Sequence, residues 1–147
     1  MADRYLDERT FGVGDVICAQ GDLTTEMFII QEGKVAVTRT VKGREIFVAL
    51  LDRGDFFGEM ALLNSQPRHA TCFAMTPTRV LALRSGELLL KLRRDPTFAL
   101  EMLRTLSQRI RYLDDQVAKL LEREMVSRED LARMLARTAS HRAEHIE

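Results

Sequence analysis

The stretch Phe56-Phe-Gly-Glu-Met-Ala-Leu-Leu-Asn-Ser-Gln-Pro-Arg-His-Ala-Thr71 decides how the rest of the chain is read. Phe56-Phe57-Gly58 ends a strand, and glycine there lets the backbone come close to a bound group. Glu59–Leu63 predicts one short helical turn, whose unpaired N–H groups point toward an anion. Arg68 follows Pro67, which stiffens its approach. An arginine beside a helix N-terminus offers bidentate donors next to oriented amides, a combination suited to phosphate. A carboxylate aimed at the same phosphate would repel it, so Glu59 makes sense only facing something else, such as a sugar hydroxyl. Phosphate plus sugar implies a nucleotide. Taken alone, an Arg68–Glu59 ion pair at a turn would also account for the two side chains.

Outward from this stretch, the composition changes near residue 85. Before it the chain is rich in Val, Ile, Phe, Thr and Gly; after it, in Leu, Arg, Glu, Met and Ala. The first part therefore reads as short strands with turns and the second as helices. Val16–Ala19, Met27–Ile30, Lys34–Val41, Glu45–Leu51, His69–Ala74 and Thr78–Leu83 are the predicted strands. Lys42-Gly43-Arg44 joins two of them in a hairpin. Gly14-Asp15, Gly21-Asp22 and Gly54-Asp55 mark further turns. Met1–Arg9 is expected to form a brief helix. Strands at this spacing suggest an all-β barrel or sandwich.

Ser85 reads as the N-cap of a helix running to about Arg94, with Leu88, Leu89 and Leu92 on one face. Asp95-Pro96 ends it and starts the next. Leu103, Leu106, Ile110, Leu113, Val117 and Leu120 then alternate at three and four residues, which is a heptad seam. The seam turns polar at Glu124 and Ser127, so this helix is expected to end near Met125. Ser127-Arg-Glu-Asp130 fits a capping box for a further helix carrying Leu131, Met134 and Leu135.

Several function classes are disfavoured. Twenty-two Lys and Arg against twenty-two Asp and Glu leave no net charge, unlike a protein built mainly to coat nucleic acid. No apolar run approaches the about 20 residues a membrane span requires. The N-terminus carries charges and no apolar core, so no secretory signal is read there and a cytoplasmic location is expected. Cys18 and Cys72 form no CxxC motif and read as small core residues. His141 and His145 share a helix face without a third metal ligand, so no metal is expected. The strand region holds a single histidine, His69, and no HxH pair, which argues against a metal oxygenase on a similar roll.

Phe57–Thr71 resembles the phosphate-binding cassette of cyclic-nucleotide-binding domains, as in protein kinase A regulatory subunits, catabolite-activator-type regulators and cyclic-nucleotide-gated channels. Gly14-Asp15-Val16-Ile17, Gln20-Gly21-Asp22, Met27-Phe28-Ile29-Ile30, Glu32-Gly33-Lys34-Val35 and Arg53-Gly54-Asp55 resemble the same family's β-roll, over roughly residues 10–125. The resemblance implies an eight-stranded β-roll (a double-stranded β-helix or jelly roll) with flanking helices and a long C-terminal helix. Residues 1–95 would form the binding roll, with its cassette at 57–71. Residues 96–147 would form lid and dimerisation helices without a complete helix-turn-helix.

It implies a site of Phe57, Gly58, Glu59, Met60, Ala61, Arg68, His69 and Ala70. Arg68 would pair with the cyclic phosphate and Glu59 with the ribose 2′-hydroxyl. The N–H groups of Gly58, Glu59, Ala61 and His69 would line the phosphate. Tyr112 and Gln116 are candidates to cap the base. Where the family usually has Ala, Ser or Thr after the arginine, this sequence has His69; without Thr or Ser to mark guanine, cAMP is favoured over cGMP. The implied protein is a non-catalytic sensor, expected to pair as a homodimer through residues 101–124 and to act on a separate effector. Ser127–Ala136 resembles the opening helix of a DNA-reading domain, so the alternative is a shortened catabolite-activator-type regulator. DNA binding by this chain alone is not expected, since the tail beyond residue 100 carries as many acidic as basic residues.

Overall fold

The computed structural model describes residues 7–123 and 127–146. Strands come first: β1 (Asp7–Phe11), β2 (Val16–Cys18), β3 (Met27–Glu32), β4 (Val35–Val41), β5 (Arg44–Leu51) and β6 (Phe56–Phe57). A short helix, α1 (Glu59–Asn64), precedes β7 (Thr71–Ala74) and β8 (Thr78–Leu83). Three helices follow: α2 (Ser85–Arg94), α3 (Pro96–Arg123) and α4 (Arg128–Ile146). The strands make two antiparallel sheets of four, ordered β1-β8-β3-β6 and β2-β7-β4-β5. This is the expected eight-stranded roll. The chain divides into two compact units between Asp95 and Pro96.

The roll's core lies between its two sheets. Phe28, Ile30, Val80 and Ala82 come from one sheet; Cys18, Val35 and Cys72 come from the other, with Phe57 closing the cluster. Their period of two along β3, β4 and β8 is the inward face of each strand. Met27 and Ile29 are buried as well. β3 is thus covered on both faces, which explains its unbroken apolar run. A fully buried side chain of this kind contributes about 1.5–3 kcal/mol. Surface pairs such as Arg79–Glu8 (3.2 Å) and Lys34–Asp52 (3.6 Å) are largely exposed and contribute about 0–1 kcal/mol each. Core burial therefore holds the roll together.

One turn is used three times. At Gly14-Asp15, Gly21-Asp22 and Gly54-Asp55 the Asp N–H donates to the carbonyl three residues upstream, at 3.0 Å each time. The Asp Oδ2 then accepts the N–H of that same upstream residue: Gly12 (2.7 Å), Ala19 (3.2 Å) and Asp52 (2.8 Å). The β4–β5 hairpin turns on Lys42 and Gly43, both at positive φ, the two-residue geometry that matches strand twist. Val37 pairs with Ala49 and Thr38 with Phe47, so Val48 is an extra residue bulged out of β5.

Four expectations are corrected. Asp7–Phe11 is a strand, not part of a brief helix, because its backbone pairs with Thr78–Ala82 of β8; the rest of that expectation lies outside the described residues. The strand expected from His69 starts at Thr71. Arg68 is held instead by the Gly21-Asp22 turn, its N–H donating to Asp22 O (2.7 Å) and its carbonyl accepting from Gly21 N–H (2.8 Å). Ser85 is the first helical residue and Arg84 the N-cap; the Glu87 carboxylate accepts the Arg84 N–H at 3.2 Å. Of the three leucines placed on one face of α2, Leu88 is buried, Leu92 half-buried and Leu89 exposed. The capping box at Ser127 is present, with Ser127 Oγ accepting the Asp130 N–H at 3.2 Å. The expected end of α3 near Met125 lies outside the described residues.

Gly33 offers a test of this packing. It has φ 101°, and a Cβ there would sit 2.5 Å from Pro77 O and from Thr78 Oγ1. Gly43 has φ 77° with nothing within 4 Å. Gly33→Ala is expected to cost about 3 kcal/mol and Gly43→Ala about 1 kcal/mol, since only the first adds a clash to the backbone strain. Urea unfolding of both variants checks this; equal losses would refute the packing argument.

Candidate functional site

β6 ends against β3, with Phe57 opposite Phe28, and the chain turns at Gly58 into α1. Gly58 has φ 80°, and a Cβ there would lie 2.6 Å from Arg68 Nη1 and 3.0 Å from Glu26 O. Only glycine lets the backbone pass this close to the arginine. The first-turn amides of α1, on Glu59, Met60 and Ala61, have no carbonyl within the helix to accept them. The Glu59 side chain is 6% exposed, a carboxylate folded inward rather than solvated. At the other end Ser65 takes φ 52° and donates its N–H to Ala61 O at 3.0 Å.

Arg68 is the centre of the arrangement. It is 4% exposed, and its guanidinium carbon lies 5.5 Å from the centroid of the Phe28 ring. Its Nη1 donates to Gly58 O (3.1 Å) and its Nε to Thr24 Oγ1 (3.1 Å). Its Nη2 is buried with no hydrogen-bond partner among the described residues. Guanidinium stays charged at any ordinary pH, and a buried charge left partly unpaired is costly. The two unused N–H bonds therefore define a position for acceptor oxygens that the described residues do not supply. Nearby Arg9 also lies over Phe28, at 5.9 Å, but it is paired with Asp7 (2.7 Å) and with Glu26.

His69, next in the chain, is exposed. Partial burial and the positive charge of Arg39 hold its ring below the usual histidine pKa. Met60 is exposed and Ala70 half-buried. Phe57 presents its ring to the core, stacked on Phe28 at 5.1 Å, so what it offers the site is support. Gly58, Glu59, Ala61, Arg68 and His69 are thus brought to one place. Tyr112 and Gln116 lie on α3, in the second unit, with Tyr112 exposed. Among the described residues no cluster of His, Cys, Asp and Glu is placed to hold a metal ion.

Thr24 and Phe28, which hold and stack the arginine, were not singled out from sequence. Thr24 lies 44 residues from its partner Arg68, and nothing local marks it. Phe28 reads simply as a core strand residue. Cys18 and Cys72, opposite each other on β2 and β7, are both buried with free thiols, as expected for core positions.

A buried arginine with an unused donor is thus set beside the first turn of a helix inside an antiparallel roll, an arrangement suited to an anion. Residues 8–95 match the family model of the cyclic nucleotide-binding domain, and the chain belongs to that family. It is 36% identical over 115 residues to the Cyclic AMP receptor protein of Thermus thermophilus, covering 78% of this chain and 53% of that protein. It is 44% identical over 79 residues to a cAMP-dependent protein kinase regulatory subunit of Mycosarcoma maydis, covering 54% of this chain and 15% of that one. The chain therefore spans only part of the length of these relatives. The crystal structure of the Thermus thermophilus Catabolite Activator Protein superposes with TM-score 0.72 at 29% identity, covering 93% of this chain and 80% of that one.

The placement of Arg39 near His69 has a measurable consequence. Arg39→Leu removes a positive charge that disfavours the imidazolium, so the His69 pKa should rise toward its ordinary value. NMR titration of the His69 ring in both proteins reads the shift; an unchanged midpoint would separate the two residues.

Proposed function

We propose that this chain is a cyclic nucleotide sensor, with cAMP favoured over cGMP, and that it works by binding alone. The unused Nη2 of buried Arg68 carries the reading, because it requires an anion with paired oxygens. A cyclic phosphodiester carries one negative charge, which one guanidinium balances. Arg68 takes its exocyclic oxygens, and the N–H groups of Gly58, Glu59, Ala61 and His69 surround the rest. Glu59 accepts the ribose 2′-hydroxyl, which gives an inward carboxylate a role beside an anion site. The cAMP preference draws on the absence of Thr or Ser after Arg68 and on the likeness to a Cyclic AMP receptor protein. Residues 1–95 serve as the binding domain.

Residues 96–147 serve as the responding element. Ligand shifts the placement of these helices only as far as it favours one arrangement over another. Tyr112 and Gln116 capping the base would supply that differential contact. The heptad seam of α3 supports a homodimer through residues 101–124. Leu103 is 64% and Leu120 60% exposed in the single chain, an apolar stripe of the kind that pairs. A separate cytoplasmic effector would receive the signal. Among the described residues no helix is long and apolar enough to cross a membrane. The second reading, a shortened catabolite-activator-type regulator, rests on the capped helix α4 that follows the seam.

Calorimetric titration with cAMP and cGMP, on the wild type and on Arg68→Ala, tests the binding site. One or both nucleotides should bind the wild type, cAMP more tightly, and the variant should lose more than about tenfold. If neither binds the wild type, the sensor reading fails. For the dimer, Leu113→Glu places charges across the seam and should convert a dimer to a monomer in light scattering. A wild-type chain already monomeric at high concentration would rule out the seam as a homodimer interface.

A further inference from the structure

Within the cyclic-nucleotide reading, on which this inference rests, phosphate and ribose are accounted for by Arg68 and Glu59. The base is left. We propose that Arg39 reads the base, donating hydrogen bonds to acceptor atoms on the purine edge, and that it narrows the preference for adenine over guanine.

The strand register places Arg39. Val35 belongs to the core cluster and Val37 packs against it, so that face of β4 points into the roll. The period of two puts Arg39 and Val41 on the same face. The extra residue of the bulge, Val48, is on β5, so the alternation along β4 is not broken. Opposite Arg39 stands Ile46, and opposite Val41 stands Arg44. Val41 is 41% and Ile46 49% exposed although they lie on the inner face. Beyond Val37, then, the core ends and the inner wall becomes an open strip in which Val41 and Ile46 are the apolar members and Arg39 and Arg44 the cationic ones. An apolar wall with a convergent polar group is what a purine ring requires.

Two further observations tie Arg39 to the site. Its Nε is buried and has no hydrogen-bond partner among the described residues. Its charge acts on the ring of His69, the residue next to Arg68. Arg39 thus stands on the cassette side of the strip with a donor unused.

Arginine offers donors only. Guanine presents two acceptors along one edge, O6 and N7, which a guanidinium meets bidentately. Adenine presents N7 beside an N6 amino group, which is a donor and opposes a second bond. Arg39 therefore contributes more to cGMP than to cAMP, against the trend expected from the residue after Arg68.

The test is calorimetry of the full chain with cAMP and cGMP, comparing the wild type with Arg39→Leu, which removes the guanidinium and leaves an apolar side chain in its place. The variant should lose about tenfold or more in cGMP affinity and at most about threefold in cAMP affinity, widening the ratio. Equal losses for both nucleotides would make Arg39 a phosphate or structural residue and overturn the proposal, as would no change in either. A measurement on the unmutated protein guards against misfolding of the variant: 7-deaza-cGMP, which lacks N7, should bind more weakly than cGMP by about fivefold or more. Equal binding of the two would also overturn it. Failure of the wild type to bind any cyclic nucleotide would instead remove the reading of the site itself.

Discussion

Burying the guanidinium of Arg68 is the constraint around which the roll is arranged. A charge at 4% exposure costs several kcal/mol unless its surroundings compensate. The compensation comes from separate parts of the chain: a carbonyl from Gly58, a hydroxyl from Thr24 and a ring face from Phe28. Its main chain is tied to the Gly21-Asp22 turn by two hydrogen bonds. None of these gives the Nη2 an acceptor. The arginine is therefore held rigidly in place while remaining incompletely satisfied, and an arriving anion need not pay to organise it. The same constraint explains why Gly58 has no side chain and why β7 starts late. A Cβ at 58 would occupy the space of Nη1. A strand beginning at His69 would pull Arg68 off the turn that fixes it.

The second unit follows a different logic. α3 is a helix of 28 residues whose apolar seam, apart from half-buried Leu106, stays exposed in the single chain. The roll buries its apolar face internally and has little to gain from moving. A helix with an uncovered seam has several ways to cover it, and their free energies are closer together. A ligand that makes contacts in only one of those arrangements can then select it with a modest differential affinity. Under the proposed reading, rigid recognition and a responsive element would be carried by different units of the chain.

Much of this was legible in the sequence, and the reasons are physical. The Gly-Asp pairs announce turns because each is a complete local device: a backbone bond over three residues and a carboxylate returning to the same residue. The cassette was readable because Gly58, Glu59 and Arg68 lie close along the chain. What escaped detection depends on distant partners. Asp7–Phe11 has one strongly apolar residue and no alternation to mark a strand; its pairing with β8 makes it one. Thr24 and Phe28 acquire their role only when the fold brings Arg68 to them. The N-cap of α2 missed by one residue because Ser85, a common cap, lies beside a Glu87 that serves Arg84 instead.

Arg39 shows where local reading stops. In sequence it is a charged residue between Thr38 and Thr40 that no motif marks. Counting from Val35 and Val37, both turned to the core, places it on the inner face. The β-bulge matters to that count: had the extra residue been on β4, every side chain after it would have changed face. Because it is Val48 that bulges, the inner face of β4 continues past the core and carries a cation into the open mouth of the roll. Under the proposed reading, holding and reading would be divided within the roll. The phosphate would be held by main chain and by an arginine fixed on several sides. The base would meet side chains on a hairpin wall, where a single substitution could alter selectivity without disturbing the anion site.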